Sequence, residues 1–249
     1  MVCEVQVYEP PVLTDPVLIE GLPGIGFVAN IAALHLVQEL KAELFAEIRS
    51  SFFQPLAITA ENGKSHFPIN ELYYHKGRDG ERDLIILYGN TQALTTVGQY
   101  ELCGRILDVA EQLGCRYIMT LGGLKREEKV EKPKLYCAAS DRETLQDALG
   151  LGAKIIGGGI FGVAGLLIGL GRLRDMKGFC LLAETSGVYP DAMAAREILK
   201  AVCGMLHLKV NLRRLNTAAE ATNKILKSFG ITSPSTEKRK REPEFRWFI

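Results

Sequence analysis

The sequence has 249 residues, of which 47% are hydrophobic and 24% are charged, with 30 basic and 29 acidic side chains. This length and composition suit one α/β domain of ordinary globular character. The net charge of +1 argues against an electrostatic surface for nucleic acid or for an anionic membrane, so we expect neither among the partners.

The first half of the chain combines short strands with two helices. Strands are indicated where apolar residues alternate with polar ones or form short continuous runs. The stretches concerned are 2–8, 16–20, 43–49, 55–62, 69–77, 83–89 and 115–123. Helices are predicted over 27–40 and about 96–113. The run at 83–89 is typical of a strand that is buried on both faces.

The second half alternates strands with helices. Strands are predicted over 134–140, 153–158 and 178–185. Helices are predicted after Ser140 or Asp141, which can act as a cap, and over about 190–206 and 213–229. This order is typical of a largely parallel sheet covered by helices on both faces. We therefore predict an α/β globular domain over residues 1–230.

Residues 155–171 form an uncharged run that contains seven glycines. A membrane-spanning helix needs about 20 apolar residues, and this run is shorter and interrupted by glycine. The run therefore favours a loop followed by a buried helix whose small residues allow close approach to the sheet or to another subunit.

Residues 231–249 differ in composition from the rest and predict a flexible charged tail. Its basic run at 238–241 is interleaved with glutamates, which favours a solvated spacer over a nucleic-acid patch. The tail ends on Trp247, Phe248 and Ile249, three apolar residues whose exposure to water is unfavourable.

The stretch GLPGIG follows a predicted strand and opens a predicted helix, which is where phosphate-binding loops lie. Gly21, Gly24 and Gly26 have the spacing G-x-x-G-x-G, which differs from the dinucleotide-binding pattern, and no G-K-[ST] follows. The simpler interpretation is a tight strand-to-helix turn, while an anion site at the helix start remains an alternative.

Neither a metal site nor a catalytic group emerges from residue spacing. The four histidines, at 35, 66, 75 and 207, have no helical ligand spacing, and the six cysteines form no C-x-x-C. We expect buried, reduced thiols in a cytoplasmic protein with no cofactor, since the start of the chain has no secretory signal pattern.

Among the acidic side chains, Glu184 is the strongest candidate for a ligand cavity because it ends a predicted strand. Glu101, Asp108 and Glu111 are weaker candidates, and no base or nucleophile is linked to any of the four. A structural carboxylate is the simpler interpretation of Glu184.

Three stretches together resemble the proteasome assembly chaperone family, in the branch of the second chaperone and its archaeal homologues. They are 19–33, 88–123 and 162–191. The resemblance implies an α/β fold like that of nucleoside phosphorylases, no known enzymatic activity, and assembly into a homo-oligomer such as a tetramer or pentamer. A fold shared with phosphorylases does not carry their chemistry with it.

The same resemblance implies a binding partner for the tail. Proteasome activators and assembly factors of several kinds end in a hydrophobic residue, a tyrosine and a final residue, which insert between α-subunits of the 20S core. Trp247, Phe248 and Ile249 match these positions, except that Phe248 lacks the hydroxyl. The resemblance thus implies docking on the 20S α-ring, by several weakly binding tails at once.

Two alternatives remain open from the sequence. The tail can instead pack on the protein's own body, because burying each of these side chains contributes about 1.5–3 kcal/mol, and the partner is then a sister chaperone. Alternatively, the protein binds a nucleotide or nucleoside, as ligand or substrate, with the 21–26 loop and Glu184.

Overall fold

The computed structural model describes residues 2–59, 63–128, 130–187 and 190–228. Its strands are β1 Cys3–Val7, β2 Val17–Gly21, β3 Glu43–Ser50, β4 Ile58–Thr59, β5 Ser65–His66, β6 Asn70–His75, β7 Leu84–Gly89, β8 Tyr117–Lys125, β9 Leu135–Ala139, β10 Lys154–Ile155 and β11 Lys177–Thr185. Its helices are α1 Val28–Leu40, α2 Thr96–Gln112, α3 Arg142–Gly150, α4 Val163–Arg172, α5 Ala192–Met205 and α6 Leu215–Ser228.

Nine strands form one mixed sheet in the order β1-β3-β6-β7-β2-β8-β11-β9-β10, and β4 pairs with β5 in a separate hairpin. The four central strands β7, β2, β8 and β11 are parallel. Antiparallel pairs extend this centre on both sides, through β6 next to β7 and β9 next to β11. The prediction of an α/β sheet with a largely parallel centre is confirmed.

Helices cover both faces of the sheet, as the sequence predicts. One apolar core joins the sheet to α1, α3, α5 and α6, and the other joins it to α2 and α4. Every residue of β2 and β7 is buried, as the continuous apolar run at 83–89 predicts for β7.

Side-chain caps fix where several helices begin. Asp141 accepts hydrogen bonds from the backbone N–H groups of Glu143 and Thr144, so it is Asp141 that caps α3. Thr95 accepts one from Gly98 N at the start of α2.

The uncharged run at 155–171 contains the end of β10, a glycine-rich loop and most of α4, whose apolar face packs against β8 and β11. The buried-helix interpretation is therefore confirmed. Within the described ranges, no helix combines the length and apolar character that a bilayer crossing requires.

Gly21 lets β2 and α1 pack at close range. A Cβ atom on Gly21 would lie 2.1 Å from the Cβ of Ala33 and 2.8 Å from the carbonyl oxygen of Ala29. Both contacts are shorter than real Cβ contacts, so a side chain here would force the helix away from the sheet.

Gly21→Ala should therefore destabilise the protein by about 1–3 kcal/mol, the usual cost of overpacking a core. Gly24→Ala is the matched control because its added Cβ meets no atom within 4 Å, and it should change stability by less than about 0.5 kcal/mol. Urea unfolding of both variants measures the difference, and equal midpoints would contradict the packing described here.

Candidate interaction surfaces

Glu184 is held by a complete set of donors at the end of β11. Its carboxylate accepts hydrogen bonds from Arg126 Nε at 3.0 Å, Tyr136 Oη at 3.1 Å and Lys134 N at 3.2 Å. Partial burial opposes ionisation, but these donors hold the pKa of Glu184 below its usual range. The Arg126 guanidinium also lies over the Tyr136 ring, 5.0 Å from its centroid.

These contacts close the loop between β8 and β9 onto the sheet. They favour the structural interpretation of Glu184 over a ligand role, since its charge is already paired. The sequence places Glu184 at this edge, but Arg126 lies 58 positions away and no local pattern links the two.

The glycine loop, residues 21–26, is also held by packing against neighbouring residues. Gly26 adopts φ of 64°, and a Cβ there would lie 2.8 Å from Thr185 Oγ1. Thr185 donates a hydrogen bond to Asp191 Oδ2 at 2.7 Å, and Asp191 N donates to Gly26 O at 2.9 Å. Gly24 has open space beside it. The loop therefore meets the end of β11 through Thr185, and this contact does not involve the Glu184 side chain.

Asp191 was not among the sequence candidates, although it caps α5 by accepting from Met193 N and Ala194 N. An aspartate directly before a helical pattern is a recognisable cap signal. Its second role, the bridge from Thr185 to Gly26, depends on chain segments that are distant in sequence.

A buried carboxyl group lies in the middle of the sheet. Glu20 on β2 is 1% exposed, and its neighbour across the pair is Thr120 on β8. Glu20 Oε1 accepts from Leu22 N at 2.8 Å, whereas Glu20 Oε2 and Thr120 Oγ1 have no hydrogen-bond partner in the part of the chain that is described. Burial raises the pKa of Glu20 to about 8, so the group is neutral at pH 7.

The six cysteines are free and buried, as expected. Burial raises the pKa of Cys103, Cys180 and Cys203 to about 12, which leaves these thiols unreactive at neutral pH. The residues that the structure describes contain no group of three or more His, Cys, Asp or Glu side chains able to hold a metal ion.

Four large apolar side chains are exposed near the start of α2 and the loop before α4. We call them the apolar patch: Leu94, Val97, Tyr100 and Phe161. Val97 and Tyr100 are three residues apart on α2 and so share a face, and Phe161 is 89% exposed. Exposed apolar clusters of this kind mark protein interaction sites.

Gln92 brings the two parts of the apolar patch together. Its side-chain oxygen accepts from Val163 N at 3.2 Å and from Gln99 Nε2 at 3.3 Å, and its amide nitrogen donates to Pro23 O at 2.6 Å. The loop that carries Phe161 is therefore fixed beside the segment that carries Leu94.

A second surface is an open groove of about 780 Å³ on the opposite side of the sheet. Glu47, Glu71 and Tyr88 form one row across β3, β6 and β7 at its floor. The β4–β5 hairpin and the segment that leads into β6 form the apolar walls of the groove, and α6 contributes Lys224. We call this surface the sheet groove.

The charges in the sheet groove are unequally paired. Glu47 forms an ion pair with Arg49 at 2.6 Å. Glu71 accepts one hydrogen bond, from Tyr73 Oη at 3.1 Å, and forms no ion pair with any described residue. Burial raises the pKa of Glu71, with the neighbouring Glu47 acting in the same direction.

The sequence-predicted docking residues Trp247, Phe248 and Ile249 lie outside the described residues. The sequence therefore remains the source of that prediction. Of the predicted candidates, the structure places the three glycines after β2 and Glu184 at the end of β11. Packing accounts for Gly21 and Gly26, and the ion pair with Arg126 accounts for Glu184.

Comparison with known proteins identifies the family of this chain. The family model described as the PAC2 family matches residues 18–229. The chain belongs to the PAC2 family. Among curated relatives, an uncharacterized protein of Methanocaldococcus jannaschii, MJ1210, is 33% identical over 219 residues, which span 86% of this chain and 83% of that protein.

Two solved structures of proteins from Pyrococcus furiosus are similar over nearly the whole chain. PbaB, an archaeal proteasome activator, superposes with a TM-score of 0.82 at 38% identity, over 92% of this chain and 99% of that one. PbaA, an archaeal homolog of proteasome-assembly chaperone, gives a TM-score of 0.75 at 25% identity, over 92% and 97%. The resemblance found in the sequence is confirmed.

The burial of Glu20 can be tested through the pH dependence of the free energy of unfolding. Because folding raises the pKa of Glu20 from 4.5 to about 8, its contribution to stability is fully present below pH 4.5 and is lost as pH rises to about 8. Across this window the free energy of unfolding should fall by up to about 1.4 kcal/mol per pH unit.

Glu20→Gln removes the titration and keeps the shape. The difference in unfolding free energy between wild type and variant, measured by urea unfolding from pH 5 to 9, should therefore shift in favour of the variant as pH rises. A difference that is constant with pH would show that Glu20 is not a buried neutral acid.

Proposed function

We propose that this PAC2-family protein is a non-enzymatic proteasome factor that acts in the cytoplasm as a homo-oligomer and docks its tails on the 20S α-ring. The observation that carries the proposal is the similarity to PbaB, at 38% identity over 92% of this chain, because PbaB is an archaeal proteasome activator. PbaA, similar at 25% identity, is a homolog of a proteasome-assembly chaperone, which supports a role in assembly as the second form of the proposal.

The tail supplies the docking segment in this proposal. Trp247, Phe248 and Ile249 match the pattern of a hydrophobic residue, a tyrosine and a final residue, except that Phe248 lacks the tyrosine hydroxyl. One such segment binds weakly, since ordering the tail opposes binding. Several tails on one oligomer raise the effective concentration at the ring and so produce stable binding.

The apolar patch supplies the subunit contact. Four exposed apolar side chains on a rigid helix start and a hydrogen-bonded loop fit the core of a protein interface better than they fit free solvent.

The competing small-ligand or enzyme hypothesis receives less support. Glu184 forms an ion pair with Arg126, and Gly26 is packed on Thr185, so both already have a partner within the protein. Thermal unfolding with nucleotides, nucleosides and phosphate addresses this alternative, because a ligand at 100 times its Kd stabilises by about 2.7 kcal/mol.

Removing residues 247–249 should abolish binding to 20S particles from the same source. Native mass spectrometry of 20S mixed with either chain measures this, and the truncated protein should retain its own oligomeric state. Persistent binding after truncation would assign the contact to the globular domain.

Phe248→Tyr should strengthen binding to 20S roughly two- to tenfold, since a buried hydrogen bond contributes about 0.5–1.5 kcal/mol. Phe248→Leu is the matched control, which keeps an apolar side chain without the aromatic ring or hydroxyl and should weaken binding. Surface-immobilised 20S titrated with each variant gives the affinities. A tyrosine variant that binds no better would contradict insertion of this side chain into a tyrosine pocket.

Val97→Asp and Phe161→Asp should each break the oligomer into smaller species, because both place a charge in the proposed subunit contact. Val12→Asp is the control: Val12 is 80% exposed, and the neighbouring Thr14 N donates to Asp83, which precedes β7 at the end opposite to the apolar patch. Light scattering coupled to size exclusion reports the mass, and an unchanged mass in both patch variants would rule out this contact.

A further inference from the structure

A row of polar side chains crosses the buried centre of the sheet. Glu20 on β2 pairs with Thr120 on β8, and Thr120 pairs with Cys180 on β11. The row faces α2 and α4, because Leu18 and Ile118, two positions earlier on the same strands, belong to the core on that side. These polar groups therefore lie between the sheet and two helices, away from solvent.

Two oxygen atoms of this row have no hydrogen-bond partner within the described ranges. Glu20 is 1% exposed and Thr120 is 0% exposed, and the atoms concerned are Glu20 Oε2 and Thr120 Oγ1. The Cys180 thiol lies beside the Thr120 hydroxyl, but a thiol is only a weak hydrogen-bonding group. Buried polar oxygens are nearly always paired, because an unpaired one retains the full cost of leaving water. This row therefore needs a further polar partner.

The two strands part directly beyond these side chains. Pairing between β2 and β8 ends at Glu20 and Thr120. From there β2 follows β7 to Gly21, whereas β8 follows β11 as far as Lys125. Polar atoms on neighbouring strands that are too far apart for a direct hydrogen bond are commonly bridged by a water molecule.

The hydrogen-bond roles of the two oxygens suit such a bridge. Glu20 Oε1 accepts from Leu22 N at 2.8 Å. Burial raises the pKa of Glu20 to about 8, so at neutral pH the proton resides on Oε2, which becomes a donor. The Thr120 hydroxyl has lone pairs with which to accept. A water molecule accepts from the first group, donates to the second and retains one hydrogen for another acceptor.

A third unpaired acceptor lies on the helix that covers this row. Gln99 Oε1 on α2 is buried and has no partner in the described part of the chain. Gln99 lies one turn before Cys103 on the same side of the helix. Burial, and after it the nearby Glu20 carboxyl, raises the pKa of Cys103, which places this side of α2 next to Glu20. Buried waters typically make about three hydrogen bonds, and the three unpaired atoms supply that number.

We propose that one buried water molecule bridges Glu20 Oε2, Thr120 Oγ1 and Gln99 Oε1. It accepts from Glu20 and donates to the other two oxygens, so it ties the middle of the sheet to α2. The same helix presents Val97 and Tyr100 of the apolar patch. The water is therefore part of the core that holds this surface in place.

Oxygen-17 magnetic relaxation dispersion counts long-lived internal waters in solution and tests the proposal directly. At about pH 6, where Glu20 is neutral, Thr120→Val replaces the hydroxyl with a methyl group of similar size and should remove one long-lived water. Thr120→Ser is the matched control, because it keeps the hydroxyl and should keep the wild-type number.

A high-resolution crystal structure of the wild type locates the same molecule. Density for one water should lie about 2.6–3.2 Å from each of the three oxygens. The Thr120→Val crystal should lack this density, and the Thr120→Ser crystal should retain it.

A double-variant cycle measures whether the two side chains depend on each other. Thr120→Val alone should raise the equilibrium constant for unfolding about tenfold, because it leaves Glu20 Oε2 without its bridge. In a Glu20→Met background, which has an apolar side chain of similar length, the same substitution should change that constant by less than about twofold. Urea unfolding of the four proteins gives the constants.

Three results would overturn the proposal. The first is an equal number of long-lived waters in the wild type and in Thr120→Val. The second is a wild-type crystal structure in which Glu20 Oε2 bonds directly to Thr120 Oγ1, or in which the site is dry. The third is a cycle in which the two substitutions act additively. The wild-type crystal structure decides the matter alone if Thr120→Val does not fold, and no 20S particle enters any of these experiments.

Discussion

The structure depends on burying both faces of its central parallel strands. β2 and β7 are buried along their whole length, so helical layers must cover the sheet from both sides. Each buried leucine or isoleucine side chain contributes about 1.5–3 kcal/mol relative to exposure. Gly21 sharpens this constraint because only a glycine lets α1 approach β2 at the observed distance. The fold is thus fixed by packing at its centre, where little surface is left for binding.

The apolar patch and the sheet groove are two exposed surfaces outside this buried centre. Both surfaces meet at the segment that follows β7. Tyr88 and Asn90 line the sheet groove, while Leu94 and Val97, a few residues later, belong to the apolar patch on the other side. Asn30 holds the start of this segment by donating to Gly89 O at 2.7 Å. One short connection thus separates the apolar patch from the sheet groove.

Much of the fold was predictable from local patterns. The apolar run at 83–89 and the helical spacing at 27–40 gave β7 and α1 nearly at their observed bounds. Prediction was weaker where neighbours decide the conformation. The stretch 153–158 contains a strand of only two residues, Lys154–Ile155, because only these pair with β9. Pairing between strands distant in sequence leaves no local pattern.

The candidate sites show the same division. The sequence predicts Glu184 at the end of a strand. Its ion pair with Arg126 depends on a contact between residues 58 positions apart. Glu20 reads as one polar residue in a strand, and its buried, neutral state follows from the two helical layers around it. The sheet groove is formed by residues of β3, β6, β7 and α6, so no single stretch of sequence predicts it. The tail motif, by contrast, is formed by consecutive residues, and its docking role stays a prediction from the sequence.

The central claim is that the tail docks on the 20S α-ring, and a cryo-electron microscopy map of the protein bound to 20S from the same source tests it most directly. The account predicts density for Trp247, Phe248 and Ile249 in pockets between neighbouring α-subunits, with the globular domains held above the ring. A complex in which those pockets are empty and the globular domain makes the contact would contradict it.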